Sequence, residues 1–282
     1  MDKNKEQITN PGLYLVSTPI GNMEDITFRS INILKRSDFI LCEDTRRSGK
    51  LLSYFKIKNK LIPYHKFNEK KISTRIMNLI KNQNIISLIS DSGTPTISDP
   101  GLLLIKKCID ENFNVYPIPG PSAVTSAISI SGFGDQYIFY GFLSKKEREL
   151  EKILKNLNNL DYSIVFFIPA LKINFYISQF KKYLADRKIL IAKEMTKMYE
   201  EFIRGDVKSI KDLPKGFKGE LTVVVSKKEN KRNVKNIMTE SVKMEIAEML
   251  KKYSHKDVVD FVVKKENLSK RFVYDYCLKM KK

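Results

Sequence analysis

The chain has 282 residues, 42% of them hydrophobic, and carries a formal net charge of +19. This is enough for about two domains with a substantial core, and the apolar share excludes disorder throughout. No apolar run approaches the roughly 20 residues of a membrane helix, the polar start MDKNKEQITNPG has no signal-like core, and Cys42, Cys108, Cys277, His65 and His255 are too scattered for a disulfide framework or a structural zinc site. A cytoplasmic protein without membrane contact or bound metal is therefore expected.

In the first 120 residues, strand-like runs at 13–18, 38–43, 61–64, 85–90 and 114–118 alternate with helical spacing at 26–36, 46–55, 72–81 and 102–111. This order predicts an α/β domain over 1–120 with a largely parallel sheet, whose ligands bind at the carboxyl ends of the strands. From 121 to 228 strands outnumber helices. Helices are expected at 123–131, 145–157 and 172–184, with strands at 137–142, 163–167, 188–193, 200–204 and 220–226, giving a mixed sheet in a second α/β domain. Residues 227–238 read as a charged linker. Beyond them lies a small helical tail, 229–282, with helix starts at Ser254 and Ser269. Residues 227–282 hold 16 basic and 8 acidic residues, about three times the charge density of the remainder. A polyanionic partner would account for that surface, and so would simple lysine enrichment.

The loops after the strands carry the candidate chemistry. Ser17-Thr18-Pro19-Ile20-Gly21-Asn22 has one glycine and a proline, which disfavours pyrophosphate binding but leaves a rigid wall for another ligand. The stretch DSGTPTISDPG, 91–101, offers backbone groups, the hydroxyls of Ser92, Thr94 and Ser98 among others, and the carboxylates Asp91 and Asp99, a set that suits an adenosine-type ligand. Asp99 could equally start the next helix. Glu43-Asp44-Thr45-Arg46 could position or deprotonate a hydroxyl, or form a helix cap with a surface ion pair. His65, in YHKFNE, could serve as a base or be structural.

Eight segments, LYLVSTPIGNMEDIT, DFILCEDTRRSGKLL, PYHKFNE, SLISDSGTPTISDPG, PIPGPSA, FYGFLSKK, KEMTKMYEEFIRG and GELTVVV, follow in this order over nearly the whole chain. Together they resemble the ribosomal RNA small subunit methyltransferase I family of the tetrapyrrole methylase superfamily. The resemblance implies two α/β domains with S-adenosylmethionine in the cleft between them, usually in a homodimer. It also implies 2′-O-methylation of a cytidine ribose in the 16S rRNA of the small ribosomal subunit, near the decoding centre. By analogy the cofactor residues are Pro19, Ile20, Ser92, Gly93, Thr94, Ile97, Ser122 and Ala123, with Ile168 and Met195 on the far side. Glu43, Asp44 and Arg46 are the catalytic candidates, and His65, Glu69 and Lys172 the substrate-binding ones. The chain departs from the family at Ile168-Pro169-Ala170-Leu171-Lys172, where an ESPHR-like stretch is usual and only Lys172 keeps a charge. A tetrapyrrole-type small-molecule methyltransferase and a non-catalytic RNA-binding assembly factor are the competing readings.

Overall fold

The computed structural model describes residues 9–214, 216–228, 238–266 and 268–280. Five short apolar runs form parallel strands β1 (Gly12–Val16), β2 (Phe39–Cys42), β3 (Lys60–Pro63), β4 (Ile85–Leu88) and β5 (Val115–Ile118), in spatial order β3-β2-β4-β1-β5. Helices α1 (Phe28–Arg36), α2 (Thr45–Tyr54), α3 (Glu69–Lys81) and α4 (Leu102–Asp110) connect them. Because side chains alternate across a strand, each strand feeds two cores. Tyr14, Val16, Ile40 and Cys42 pack with Ile33, Leu34, Leu51 and Leu52 of α1 and α2. Leu13, Leu41, Ile86 and Leu88 pack on the opposite face with Ile76, Ile80 and Leu104 of α3 and α4.

Three helix starts around this sheet differ from the periodicity, each for a local reason. Residues Met23–Asp25 form a short 3-10 turn, and the Thr27 hydroxyl caps α1 by accepting from Ser30 N, so that helix begins two residues late. Asp44 accepts from Arg46 N at 2.8 Å and starts α2 one residue early. Asn68 Oδ1 accepts from His65 N at 2.9 Å, turning the chain so that α3 starts at Glu69 rather than at 72.

The second sheet is mixed, in order β6-β7-β10-β8-β9. Here β6 (Tyr137–Phe142) and β7 (Ser163–Pro169) run parallel. Strands β8 (Lys188–Lys193), β9 (Glu201–Asp206) and β10 (Glu220–Val225) make the antiparallel pairs β10–β7, β10–β8 and β8–β9. Its outer face packs on α6 (Glu147–Asn158) and α7 (Ile173–Tyr183). Its inner face, through Val165, Leu190, Ala192 and Val224, meets Val124 and Ala127 of α5 (Ala123–Ser131) and Ile20 from the loop after β1. Ile20 thus belongs to the core that joins the two sheets.

The chain divides after Lys228 into two compact units. In the second, α8 (Glu240–Met249), α9 (His255–Glu266) and α10 (Lys270–Lys279) enclose Val242, Ile246, Val258, Val262, Val273 and Cys277. Both expected starts are capped: Ser254 Oγ accepts from Asp257 N, and Ser269 Oγ from Phe272 N. Most of the expected linker, 229–237, lies outside the described residues. Among the described residues no helix is long and apolar enough to cross a membrane.

One buried cation staples the second sheet. Arg187 is 1% exposed. Its Nη1 donates to the carbonyls of Tyr162 and Ser226, and its Nη2 to those of Leu157, Asn158 and Leu160, at 2.7–3.2 Å. One guanidinium thereby ties the end of α6, the start of β7 and the residue after Val225 together through backbone carbonyls. Replacing Arg187 by Met strands five carbonyls, and we expect a loss on the order of 3 kcal/mol or more in urea unfolding. Arg187→Lys, with three donors instead of a fork, is expected to recover only part of it.

Candidate active site

The carboxyl ends of β1, β4 and β5 lie side by side, so their loops must meet. A two-bond bridge joins the first two: Thr18 N donates to Gly93 O at 2.9 Å and Gly93 N to Thr18 O at 3.1 Å. Thr18 Oγ1 also donates to Ser90 O, and the hydroxyls of Ser17 and Thr94 lie 3.1 Å apart. Thr94 Oγ1 then donates to Pro121 O, tying in the loop after β5. Gly93 has φ +79°, and a Cβ there would stand 3.2 Å from Ile20 Cγ2. The left-handed backbone and the close wall both favour glycine. Thr96 and Ser98 adopt φ of +69° and +74° without being glycine, so the 91–101 loop holds strained backbone beside the cavity.

These loops form one wall of a cleft of about 410 Å³, within the range of small-molecule sites, about 300–1,000 Å³. The near wall is Ile20, Ser92, Gly93, Thr94, Ile97, Ser98, Asp99, Ser122 and Ala123. The far wall is Phe142, Phe167, Ile168 and the turn into β10, Gly219–Thr222. Gly219 packs against Glu194, whose Oε1 accepts from Glu220 N at 2.7 Å and from Lys197 Nζ at 3.2 Å. An adjoining cavity of about 270 Å³ runs under Pro19 and Gly21 and shares Ile20, Arg47, Asp91, Ser92 and Glu220 with the first.

A third, open cavity of about 510 Å³ is lined by Glu43, Asp44, Arg46, His65, Phe67 and Asp91 among others. Asp91 lines all three. Its Oδ1 accepts from Asp44 N at 3.2 Å and its Oδ2 lies 3.5 Å from Arg47 Nη1. The carboxylates differ sharply in their environments. Asp44 is gripped by Arg46, with Nε and Nη2 contacts of 3.2 and 2.9 Å, and its carboxyl is held down at about 2. Asp99 has no hydrogen bond or ion pair among the described residues; burial, then the charges of Glu43 and Asp91, push it up to about 6.

The expected site residues separate into groups. Ile20, Ser92, Gly93, Thr94, Ile97, Ser122, Ala123 and Ile168 all line the main cleft, while Pro19 lines only the adjoining cavity. Met195 does not reach either cavity; it is buried behind Ile20 in the core joining the sheets. Glu43, Asp44, Arg46 and His65 share the open cavity. Glu69 lies outside it, its Oε2 3.5 Å from the hydroxyl of the fully buried Tyr64. Lys172 is exposed at the end of a 3-10 turn and lines none of the three. Asp99 is not a helix cap: Gly101 precedes α4 and no side chain caps that end. Arg47, Phe142, Phe167 and the 219–222 turn are lining residues that the sequence did not single out. Arg47, Phe142 and Gly219 do fall inside the segments DFILCEDTRRSGKLL, FYGFLSKK and GELTVVV, which is the signal that could have found them.

A family model described as Tetrapyrrole (Corrin/Porphyrin) Methylases matches residues 12–211, which include β1 to β9 and every near-wall loop of the cleft. The chain belongs to this family. Within it the chain groups with proteins named Ribosomal RNA small subunit methyltransferase I. The one from Thermotoga maritima is 43% identical over 222 residues, 77% of this chain and 99% of that protein. The one from Bacillus subtilis is 41% identical over 199 residues, 70% and 68% of the two chains. Two solved methyltransferases share the fold at low identity. CobJ has a TM-score of 0.59 at 16% identity, covering 77% of this chain and 94% of its own. The cobalt precorrin-4 methyltransferase CbiF has 0.55 at 14%, covering 76% and 94%.

The cleft fits the methyl donor of such a family. Bare backbone at Gly93 and apolar walls at Ile20, Ile97, Phe167 and Ile168 suit a flat heterocycle, and Asp91 and Asp99 suit a cationic ligand bearing a diol. The unpaired Asp99 makes a testable cost. Its carboxyl ionises near 3.8 when unfolded but near 6 when folded, so native stability falls as pH rises through that window. Asp99→Asn is therefore expected to melt above wild type at pH 7.5 and together with it below pH 4, in thermal scans of the ligand-free protein.

Proposed function

We propose that this chain transfers the methyl group of S-adenosylmethionine to the ribose 2′-oxygen of a cytidine in 16S rRNA, near the decoding centre. The observation that carries the reading is the cleft: the loops of a methylase fold, closed by the Thr18–Gly93 bridge, opening at Asp91 onto a polar cavity that bears Glu43 and Arg46. S-adenosylmethionine is the methyl donor of this family. The rRNA substrate rests on the names of relatives up to 43% identical, and the net charge of +19 suits a polyanion.

When bound, S-adenosylmethionine supplies a methyl group on a cationic sulfur that leaves as a neutral thioether. The protein's share is then largely orientation, worth up to roughly 7–11 kcal/mol for well-aligned reactants. Ile20, Ile97 and Ile168 exclude water from the donor, while Ser92, Thr94 and Ser122 offer it hydroxyls. A ribose hydroxyl is a weak acid, and a positioned acceptor adds about 10²–10⁴-fold. Asp44 is poorly suited, because Arg46 keeps it ionised and occupied. Asp99 is better placed electrostatically: burial, then the charges of Glu43 and Asp91, raise its proton affinity. Arg46, 87% exposed in its side chain, would meet a phosphate.

The tail contributes charge unevenly. Residues 238–266 and 268–280 hold nine basic and seven acidic residues, and Lys243, Lys265 and Lys270 pair with Glu240, Glu245 and Asp260. Most of the basic excess therefore belongs to 227–237 and the last two lysines, and we assign any added RNA grip to them. A cytoplasmic homodimer completes the reading; exposed Leu171 and Met198 offer apolar area to a second copy.

The direct test uses radiolabelled S-adenosylmethionine with small ribosomal subunits from cells lacking this protein, followed by nucleoside analysis. Label in 2′-O-methylcytidine is the expected outcome. Label in another nucleoside corrects the target. No label, with transfer to a tetrapyrrole instead, would replace the reading with the small-molecule one.

A further inference from the structure

Phe67 is the most exposed large apolar residue described, at 96%. Its neighbourhood is well anchored. Tyr64, three residues earlier, is fully buried; Asn68 Oδ1 takes the His65 amide, and Asn68 Nδ2 donates to Pro63 O. A fixed backbone therefore presents a bare ring. The ring is not isolated: it lines the open cavity with Glu43, Arg46, His65 and Asp91. The His65 ring stands edge-on to it, 6.1 Å between centroids at 61°, and His65 Nδ1 is buried without a hydrogen-bond partner among the described residues. Arg46 is fixed by two bonds to Asp44, yet its Nη1 has no partner among the described residues.

An aromatic face, a preset cation and carboxylates beside them match the parts of one ligand: a base, a phosphate and a sugar hydroxyl. Base–aromatic stacking with backbone neutralisation is how unpaired nucleotides are held, and a ribose buried in a helix cannot reach a cleft without leaving the stack. A protein partner would use the ring but would not need the acidic floor. We propose that this cavity is the target-nucleoside pocket, in which an everted RNA base stacks on Phe67 and its flanking phosphate pairs with Arg46, so that the ribose lies toward Asp91, the residue shared with the donor cleft. The inference rests on the proposed transfer to an RNA ribose and assigns the substrate subsite of that reaction.

The chain has no tryptophan, so Phe67→Trp installs a single fluorescent reporter at an exposed position where folding is not at stake. Protein-free 16S rRNA transcript is expected to quench it, and S-adenosylhomocysteine alone to leave it unchanged. With small subunits as substrate, Phe67→Ala is expected to lower kcat/KM about 5- to 100-fold, the loss of one stacked base. Phe67→Trp, which keeps an aromatic face, should lose far less kcat/KM than Phe67→Ala, Phe67→Leu should behave as Phe67→Ala, and calorimetric affinity for S-adenosylhomocysteine should be equal in all. Wild-type kcat/KM in Phe67→Ala would overturn the pocket while leaving the methyl-transfer reading intact. So would a changed sedimentation coefficient with Leu as good as Trp, which marks a protein contact. Quenching by RNA without methyl transfer by the wild type would support the pocket and defeat the reaction.

Discussion

The cleft depends on one antiparallel bridge between two loops of a parallel sheet. Parallel strands end side by side, and their loops would otherwise leave the sheet separately. Thr18 and Gly93 exchange both backbone hydrogen bonds, and the Thr18 hydroxyl reaches back to Ser90 O. That pairing needs a left-handed residue with no side chain at 93, because Ile20 stands 3.2 Å from where a Cβ would be. Ile20 is in turn buried against Val124 and Met195. The bridge, the cleft wall and the core joining the two sheets are therefore one constraint, and a bulky residue at 93 would disturb all three.

Charge in the site is arranged against local stability. Burial disfavours ionisation of Asp99 and the charges of Glu43 and Asp91 add to that cost, while Asp91 itself has Arg47 at 3.5 Å. Asp44, the fourth carboxylate, is neutralised by its own helix-capping geometry and by Arg46. Unpaired negative charge lining a cavity is costly in an empty protein and favourable beside a cationic ligand, which is the pattern of a site rather than of a fold. Arg187 shows the opposite case: a buried cation whose two Nη groups give five bonds to backbone carbonyls, far from the cleft, with a structural role.

The fold was legible because each strand of the first sheet is a short apolar run ended by turn residues, and α1 and α2 start at side-chain caps that can be read locally. Boundaries slipped where a side chain redirected the backbone, as at Thr27 and Asn68. The near wall of the cleft was legible for the same reason, since Ile20, Ser92–Thr94, Ser122 and Ala123 all follow strand ends. The far wall was not. Phe142, Phe167 and Gly219–Thr222 arrive from three separated strands, and no local pattern says that they converge. Met195, expected on the far side, packs with Ile20 in the core joining the sheets. Asp99 was ambiguous in sequence because a carboxylate before Pro-Gly suits a cap equally well, and only the fold shows Gly101 in that place.

The central claim is that the donor cleft is built by the loops at 17–22, 91–101 and 119–124 against 166–169 and 219–222, and meets the cavity at Phe67 through Asp91. Hydrogen–deuterium exchange with and without S-adenosylhomocysteine tests it directly. The account predicts slowed exchange in those five segments and none at 63–68. Protection confined to 63–68, or spread over the second sheet away from 166–169 and 219–222, would contradict it.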